Sequence, residues 1–467
     1  MTTIESVEPA TEAIRARFDS HSSADVDAAI TEVDAAFRSW REVSIADRAI
    51  PLRGLARLLR ERKDRYARLI TTEMGKPITE ALAEIEKCAL TCDFYAERAA
   101  AYLADEPVET NARASFVAFE PLGVILAVMP WNYPFWQVVR FLAPALMAGN
   151  TALLKHASNV PQCALALEEA VRDAGFPRGV LRTLLVPGAD VEPVIADDRV
   201  RAVTLTGSTA TGARIAELAG RAVKKAVLEL GGSDPFIVLR DADLAAAAET
   251  GARARFQNGG QSCIAAKRFL VEAPVAEEFE RRFADAIRAL RVGDPLDPAT
   301  QVGPLAREDL RDALERQVAE SVRMGARVVV GGKRRAGKGW FYEPTLLADV
   351  TEDMPVLNEE TFGPVAALLA VHDADEAIRV ANRSPYGLGA ALWTANETAA
   401  RAIARRIESG SVFINGMVAS DPRLPFGGTK KSGYGRELSS FGIREFVNIQ
   451  TVWIGPAKAP PRVAPAE

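Results

Sequence analysis

Val124-Ile125-Leu126-Ala127-Val128-Met129-Pro130-Trp131-Asn132-Tyr133-Pro134 is a short apolar run that stops at a proline and continues into ring and amide side chains. The run is too short to cross a bilayer and has the length of a buried strand. Further apolar runs at 152–154, 181–186 and 202–205 follow it, and the stretches between them, such as 162–174, have helical spacing. Strands alternating with helices imply a parallel, doubly wound sheet. A second series at 236–239, 268–271, 328–330, 365–371 and 411–414 predicts a second α/β domain. Residues 115–120 and 450–454 stand apart as outlying strands, and the last dozen residues, rich in Pro and Ala, read as an extended tail.

The N-terminal region reads as helical. Val26, Ile30, Val33, Phe37 and Trp40 repeat at helical spacing, with Ser23 as the expected N-cap. Ser44-Ile45-Ala46-Asp47 resembles a capping box opening a second helix through Leu52, Leu55 and Leu59. A third helix is expected over 79–103.

Composition removes several classes of function. A chain of 467 residues predicts two or three domains. Hydrophobic content of 48% with 25% charged residues describes a globular protein, and a net charge of −5 offers no basic footprint for nucleic acid. The N-terminus lacks the pattern of a secretory signal, and no apolar stretch suggests a membrane partner. Four cysteines fit a reducing compartment, so a cytoplasmic location is expected. Cys88 and Cys92 have no further His or Cys ligands nearby, and no metal is expected. None of the three histidines sits in a nucleophile frame.

Phe256-Gln257-Asn258-Gly259-Gly260-Gln261-Ser262-Cys263 sets a cysteine in a glycine- and amide-rich turn, where Gly259 and Gly260 permit unusual backbone and close ligand approach. Glu229 lies between Leu228 and Leu230 and precedes two glycines, and a carboxylate in an apolar run is paired or functional. Asn132 stands at a strand's end, where ligands bind in open α/β sheets. A thiol, a carboxylate and an amide are the parts of acyl-thioester chemistry: nucleophile, activator of water and oxyanion donor. Gly207, Ser208 and Gly212 in Thr206-Gly207-Ser208-Thr209-Ala210-Thr211-Gly212 lie between a strand and a helix, where backbone N–H groups and the helix dipole can hold a pyrophosphate.

These motifs resemble the NAD(P)-dependent aldehyde dehydrogenase superfamily in order along nearly the whole chain. The match includes Pro130 to Pro134, Leu154-Lys155-His156-Ala157, Thr206-Gly207-Ser208, Leu228-Glu229-Leu230-Gly231-Gly232, Gly260-Gln261-Ser262-Cys263, Glu360-Thr361-Phe362-Gly363-Pro364 and Pro425-Phe426-Gly427-Gly428. Within the superfamily the chain is most similar to short bacterial succinate-semialdehyde dehydrogenases. The resemblance implies that Cys263 attacks the aldehyde and that Asn132 and the Cys263 N–H hold the oxyanion. Hydride loss to nicotinamide then leaves a thioester, and Glu229 activates the water that hydrolyses it. It also implies that Lys155 and Glu360 hold ribose hydroxyls, that Phe362 packs near the nicotinamide ribose, and that Trp131 and Ser208 lie along the diphosphate. The implied architecture is a cofactor-binding domain (1–106 and 121–230), a catalytic domain (231–433) and a small β bridging element (107–120 and 447–460) used for homodimer or homotetramer assembly.

NAD-preferring members usually carry a Glu three residues after the lysine. Here that position is Ser158, so no carboxylate repels a 2′-phosphate and NADP is the expected cofactor, with NAD possible. The resemblance places Arg140 and Ser420 where the substrate carboxylate is bound, with Gln257 where larger members carry a second Arg. Lys267 and Arg423 are the candidates to compensate. Arg140→Leu is accordingly expected to raise KM for succinate semialdehyde but little for an uncharged aldehyde. The alternatives are a broad medium-chain or aromatic aldehyde dehydrogenase, with Tyr133, Phe135 and Trp136 lining an apolar tunnel, and a catalytically silent protein of the same fold, against which the intact Cys263, Glu229 and Asn132 set argues.

Overall fold

The computed structural model describes residues 2–455. Its first sheet is ordered Gly433–Tyr434, Lys225–Glu229, Val200–Thr206, Val124–Met129, Thr151–His156 and Leu181–Thr183, parallel except for the first strand. Along Val124–Met129 successive side chains point to opposite faces. Ile125, Ala127 and Met129 enter one hydrophobic core, and Val124, Leu126 and Val128 enter another. Helices cover both faces, which is why the run is apolar without alternation. The chain leaves Val124–Met129 in one direction and returns to pair Val200–Thr206 on its other side. Their carboxyl ends, followed by Pro130 and Gly207, therefore flank a switch point, where a crevice opens in such sheets.

The second sheet is ordered Arg327–Val330, Thr345–Ala348, Val365–Val371, Ala266–Glu272, Asp234–Val238, Gly389–Trp393 and Ser411–Ile414, parallel except for its first pair. It too separates two cores. A third, antiparallel sheet joins Val447–Ile454, Ala114–Pro121 and Glu106–Pro107. The two strands read as outliers thus pair with each other, and Val447–Ile454 forms an edge carrying exposed Ile449 and Trp453.

Several expectations are corrected. The N-terminal region is not wholly helical: Thr3–Glu8 and Ala13–Asp19 form an antiparallel hairpin. Its inward positions are Ile4, Ser6 and Glu8, so the buried face is mostly polar and gives no apolar alternation. Ser6 is satisfied by Glu73 (2.7 Å). Ser22, not Ser23, caps Ser23–Trp40 by accepting from the Asp25 N–H. Helix Lys63–Met74 and strands Thr345–Ala348 and Gly389–Trp393 were not anticipated; the last, GAALW, is poor in β-branched residues. The expected C-terminal tail lies outside the described residues.

Candidate active site

The loop leaving Val124–Met129 is pinned by the end of the neighbouring strand. His156 donates from Nε2 to the Pro134 carbonyl (2.8 Å) and accepts the Ala157 N–H at Nδ1 (2.9 Å). Burial lowers its pKa to about 4, so the ring stays neutral and this tautomer serves both bonds. The loop then meets the cysteine turn through amides. Asn132 Nδ2 donates to the Gln261 carbonyl (3.0 Å), and Asn258 Nδ2 donates to the Asn132 carbonyl (2.8 Å).

The turn is left-handed through Asn258, Gly259 and Gly260, with φ of 57°, 61° and 72°. A Cβ at Gly260 would lie 2.3 Å from the Gly363 carbonyl, so only glycine permits this approach. Two buried cations hold the surrounding backbone. Arg255 donates to the carbonyls of Val365, Thr361 and Gly363, and Lys267 donates to those of Ser262 and Cys263 (both 2.9 Å). Cys263 is only half-buried as a residue, yet desolvation pushes its thiol up to about 12 despite the opposing pull of Arg140 and Lys267. At neutral pH it rests as the thiol.

Glu229 ends Lys225–Glu229, and the two following glycines let the chain pass tightly. A Cβ would fall 2.4 Å from the Glu360 carboxylate at Gly231 and 2.5 Å from the Cys263 carbonyl at Gly232. The Glu229 carboxyl is buried, and neither oxygen has a hydrogen-bond partner among the described residues. It lies against Gly427, where a Cβ would come within 2.7 Å of Oε1. Burial, then the nearby Glu437 carboxylate, hold its pKa well above the usual carboxylate range. The side chain lines neither of the two cavities that meet at Cys263.

One of those cavities, about 420 Å³, is lined by Trp131, Asn132, Lys155, Ser208, Glu360 and Phe362, with Gly207 at its edge. The other, about 150 Å³, is lined by Lys87, Trp136, Arg140, Gln257, Ser420 and Phe426. Cys263 lies on the wall of both.

The sequence profile of the aldehyde dehydrogenase family matches residues 1–452. The chain belongs to the aldehyde dehydrogenase family. It is 53% identical over 451 residues to a probable succinate-semialdehyde dehydrogenase [NADP(+)] of Synechocystis sp., covering 97% of this chain and 99% of that one. It is 51% identical over 454 residues to succinate-semialdehyde dehydrogenase [NADP(+)] 1 of Mycobacterium bovis, with coverage of 97% and 99%. The crystal structure of succinic semialdehyde dehydrogenase from Streptococcus pyogenes in complex with NADP⁺ superposes with a TM-score of 0.95 at 38% identity, covering 97% of this chain and all of that one.

In this aldehyde dehydrogenase the larger cavity has the donors a dinucleotide needs. Ser208 caps helix Thr209–Arg221, whose N-terminus faces the space. Lys155 is largely buried, its pKa lowered by burial, and its ammonium has no protein acceptor among the described residues. Such a cation fits a bound hydroxyl or phosphate. Trp131 meets Phe362 edge to face at 5.6 Å. Glu360 already accepts the Gly232 N–H (3.0 Å). Ser158 lies on an adjoining open space together with Lys155. Gly212 lines neither cavity and instead lets the helix approach Leu230, 2.4 Å from where its Cβ would stand.

The smaller cavity departs from expectation in two ways. Arg140 is fully buried and already ion-paired with Glu437; it also donates to Thr206 (3.3 Å) and lies 4.7 Å from the Phe426 ring centroid. Neither proposed compensator lines the space. Lys267 is spent on backbone carbonyls, and Arg423 is exposed and paired with Asp421 (2.6 Å). Besides Arg140, the cation that lines it is Lys87. Sequence alone does not find Lys87, since it belongs to no motif and reaches the cavity from helix Ile78–Tyr102, far from Cys263 in the chain.

Proposed function

We propose that this enzyme oxidises succinate semialdehyde to succinate with NADP⁺. The observation that carries the reading is the position of Cys263 between one cavity furnished for a dinucleotide and another furnished with cations and a hydroxyl. The names of the two bacterial relatives and of the Streptococcus structure point to the same reaction.

In this reading Cys263 loses its thiol proton to solvent water, Sγ adds to the aldehyde carbon, and the carbonyl oxygen becomes an oxyanion met by Asn132 Nδ2 and the Cys263 N–H; loss of that carbon's hydrogen as hydride then restores the C=O bond and leaves a thioester on Cys263. When bound, the oxidised nicotinamide supplies a hydride acceptor. Lys155, Ser208, Glu360 and Phe362 bind and orient that group beside Cys263. Glu229 turns out of its buried seat, ionises away from Glu437, and takes a proton from the water that attacks the thioester carbonyl. The carbon–sulfur bond then breaks, returning Cys263 and releasing the acid.

The cofactor preference rests on Ser158. The carboxylates bordering that space, Glu5, Glu308, Asp309 and Asp312, are each paired with an arginine, so none opposes a 2′-phosphate freely. Ser158→Glu is expected to lower kcat/KM for NADP⁺ relative to NAD⁺ by about a hundredfold, because like charges would face each other. An unchanged cofactor ratio would contradict the role of Ser158.

The buried pairing of Arg140 revises the sequence expectation for Arg140→Leu. The variant leaves Glu437 buried without its cation, a loss of about 3–5 kcal/mol. A marked drop in thermal midpoint and reduced turnover of charged and neutral aldehydes alike are expected. Wild-type stability would show that the pair contributes little.

We also infer that 1–106 with 121–230 forms the cofactor-binding unit and 231–433 the catalytic unit. Segments 107–120 and 447–460 would form the bridging element, of which 456–460 lie outside the described residues. The open edge and exposed Ile449 and Trp453 of Val447–Ile454 support assembly as a homodimer or homotetramer. Among the described residues no helix is long and apolar enough to cross a membrane, and the sparse, unpaired cysteines favour the cytoplasm.

The first test is the rate of NADPH formation at 340 nm with succinate semialdehyde against butanal. Strong preference for the semialdehyde supports the assignment. Preference for butanal would replace it with a broad-specificity aldehyde dehydrogenase, whose apolar walls Tyr133, Trp136 and Phe426 supply.

A further inference from the structure

The smaller cavity contains two cations, and they are committed differently. Arg140 has a carboxylate partner in Glu437 and a hydroxyl partner in Thr206. Lys87 has no carboxylate within ion-pair distance among the described residues. Its neighbour one turn back, Glu84, is unavailable: Oε1 accepts the N–H groups of Phe135 (2.9 Å) and Trp136 (3.0 Å), and Oε2 is paired with Lys76. The Lys87 ammonium donates to Ser420 Oγ (2.6 Å) and rests 4.2 Å from the Trp136 ring centroid. An ammonium has three N–H donors, and a single hydroxyl uses one. The indole face attracts the charge without neutralising it.

We infer that Lys87, held by Ser420 and Trp136, is a substrate-specificity residue that receives the carboxylate of the aldehyde substrate. The inference rests on the proposed oxidation of an ω-carboxy aldehyde and adds a residue to it. Lys87 supplies the positive charge that Gln257 does not and that Arg140 has already committed to Glu437. Burial, reinforced by neighbouring Arg140, lowers the Lys87 pKa to about 8, and an arriving carboxylate would reverse that pressure. The Ser420 hydroxyl, bonded to the ammonium, can turn its own proton toward the same anion. A purely structural Lys87 would fasten the Ser420 loop to Trp136 and help every aldehyde equally.

The experiment compares kcat and KM for succinate semialdehyde and butanal, with saturating NADP⁺, in wild type, Lys87→Met, Lys87→Gln and Lys87→Arg. Lys87→Met is expected to lower the semialdehyde-to-butanal ratio of kcat/KM by about tenfold to a hundredfold, with the loss in KM for the semialdehyde. Lys87→Gln, which can keep a bond to Ser420 without the charge, is expected to lose the ratio as well and answers the question if the Met variant does not fold. Lys87→Arg is expected to recover much of it. A ratio within twofold of wild type in the Met or Gln variant overturns the inference while leaving the proposed function standing. A wild type that does not favour the semialdehyde overturns the proposed function and this inference together.

Discussion

Glu229→Gln is expected to form one equivalent of NADPH per active site in a fast burst and then to turn over about 10²–10⁴-fold more slowly than wild type. The seat of the side chain explains why the two phases separate. In this structure the Glu229 carboxyl is buried against Gly427 and has no hydrogen-bond partner among the described residues, and burial, then the nearby Glu437, hold its pKa well above the usual carboxylate range. A glutamine is uncharged and nearly the same shape as the glutamate, so the buried seat should tolerate it. It cannot take a proton from water, so thioester hydrolysis should fail while its formation proceeds. Stopped-flow absorbance at 340 nm resolves the burst, and mass spectrometry of the quenched enzyme should find the acyl group on Cys263. Loss of the burst itself would show that Glu229 is needed to activate the thiol, and an undiminished steady rate would remove it from the mechanism.

Cys263→Ala should abolish aldehyde oxidation by at least about 10⁴-fold while leaving cofactor binding measurable. No other thiol can stand in. Cys88, Cys92 and Cys163 are buried, and desolvation raises the pKa of each above the ordinary thiol range. Their inertness gives a second readout. Under native conditions a small thiol reagent should label wild type once, at Cys263, slowly at neutral pH and faster as pH rises, because the thiolate fraction grows toward a pKa of about 12. The alanine variant should take no label. Residual turnover above a hundredth of wild type, or labelling at one of the helical cysteines, would contradict this assignment.

The parts of the site that lie in local frames were legible in the chain. The apolar run at 124–129 predicted a buried strand, and its position predicted that Asn132 would stand at a carboxyl end. Gly259 and Gly260 predicted an unusual backbone, found as three consecutive left-handed residues. Each of these properties depends on spacings of a few residues. Lys87 and the Arg140–Glu437 pair were not legible, since the partners are separated by 333 and 297 positions and nothing near either residue signals the other. The hairpin at Thr3–Glu8 was hidden for a different reason: its inner face buries Ser6 and Glu8 through hydrogen bonding, and apolar periodicity cannot report polar burial.

By itself, then, the sequence determined the fold class and, through motifs that resemble those of the aldehyde dehydrogenases, the family, and it nominated Cys263, Glu229 and Asn132 for the chemistry, because apolar runs and short motifs are set by covalent order over a few residues. The tertiary structure alone decided the commitments of charge. Whether a buried arginine is free or already paired, whether a carboxyl rests ionised or protonated, and which lysine enters a cavity depend on desolvation and on neighbours brought together from distant segments. Arg140, Glu229 and Lys87 acquire their states only when the sheets and the helix Ile78–Tyr102 close around them.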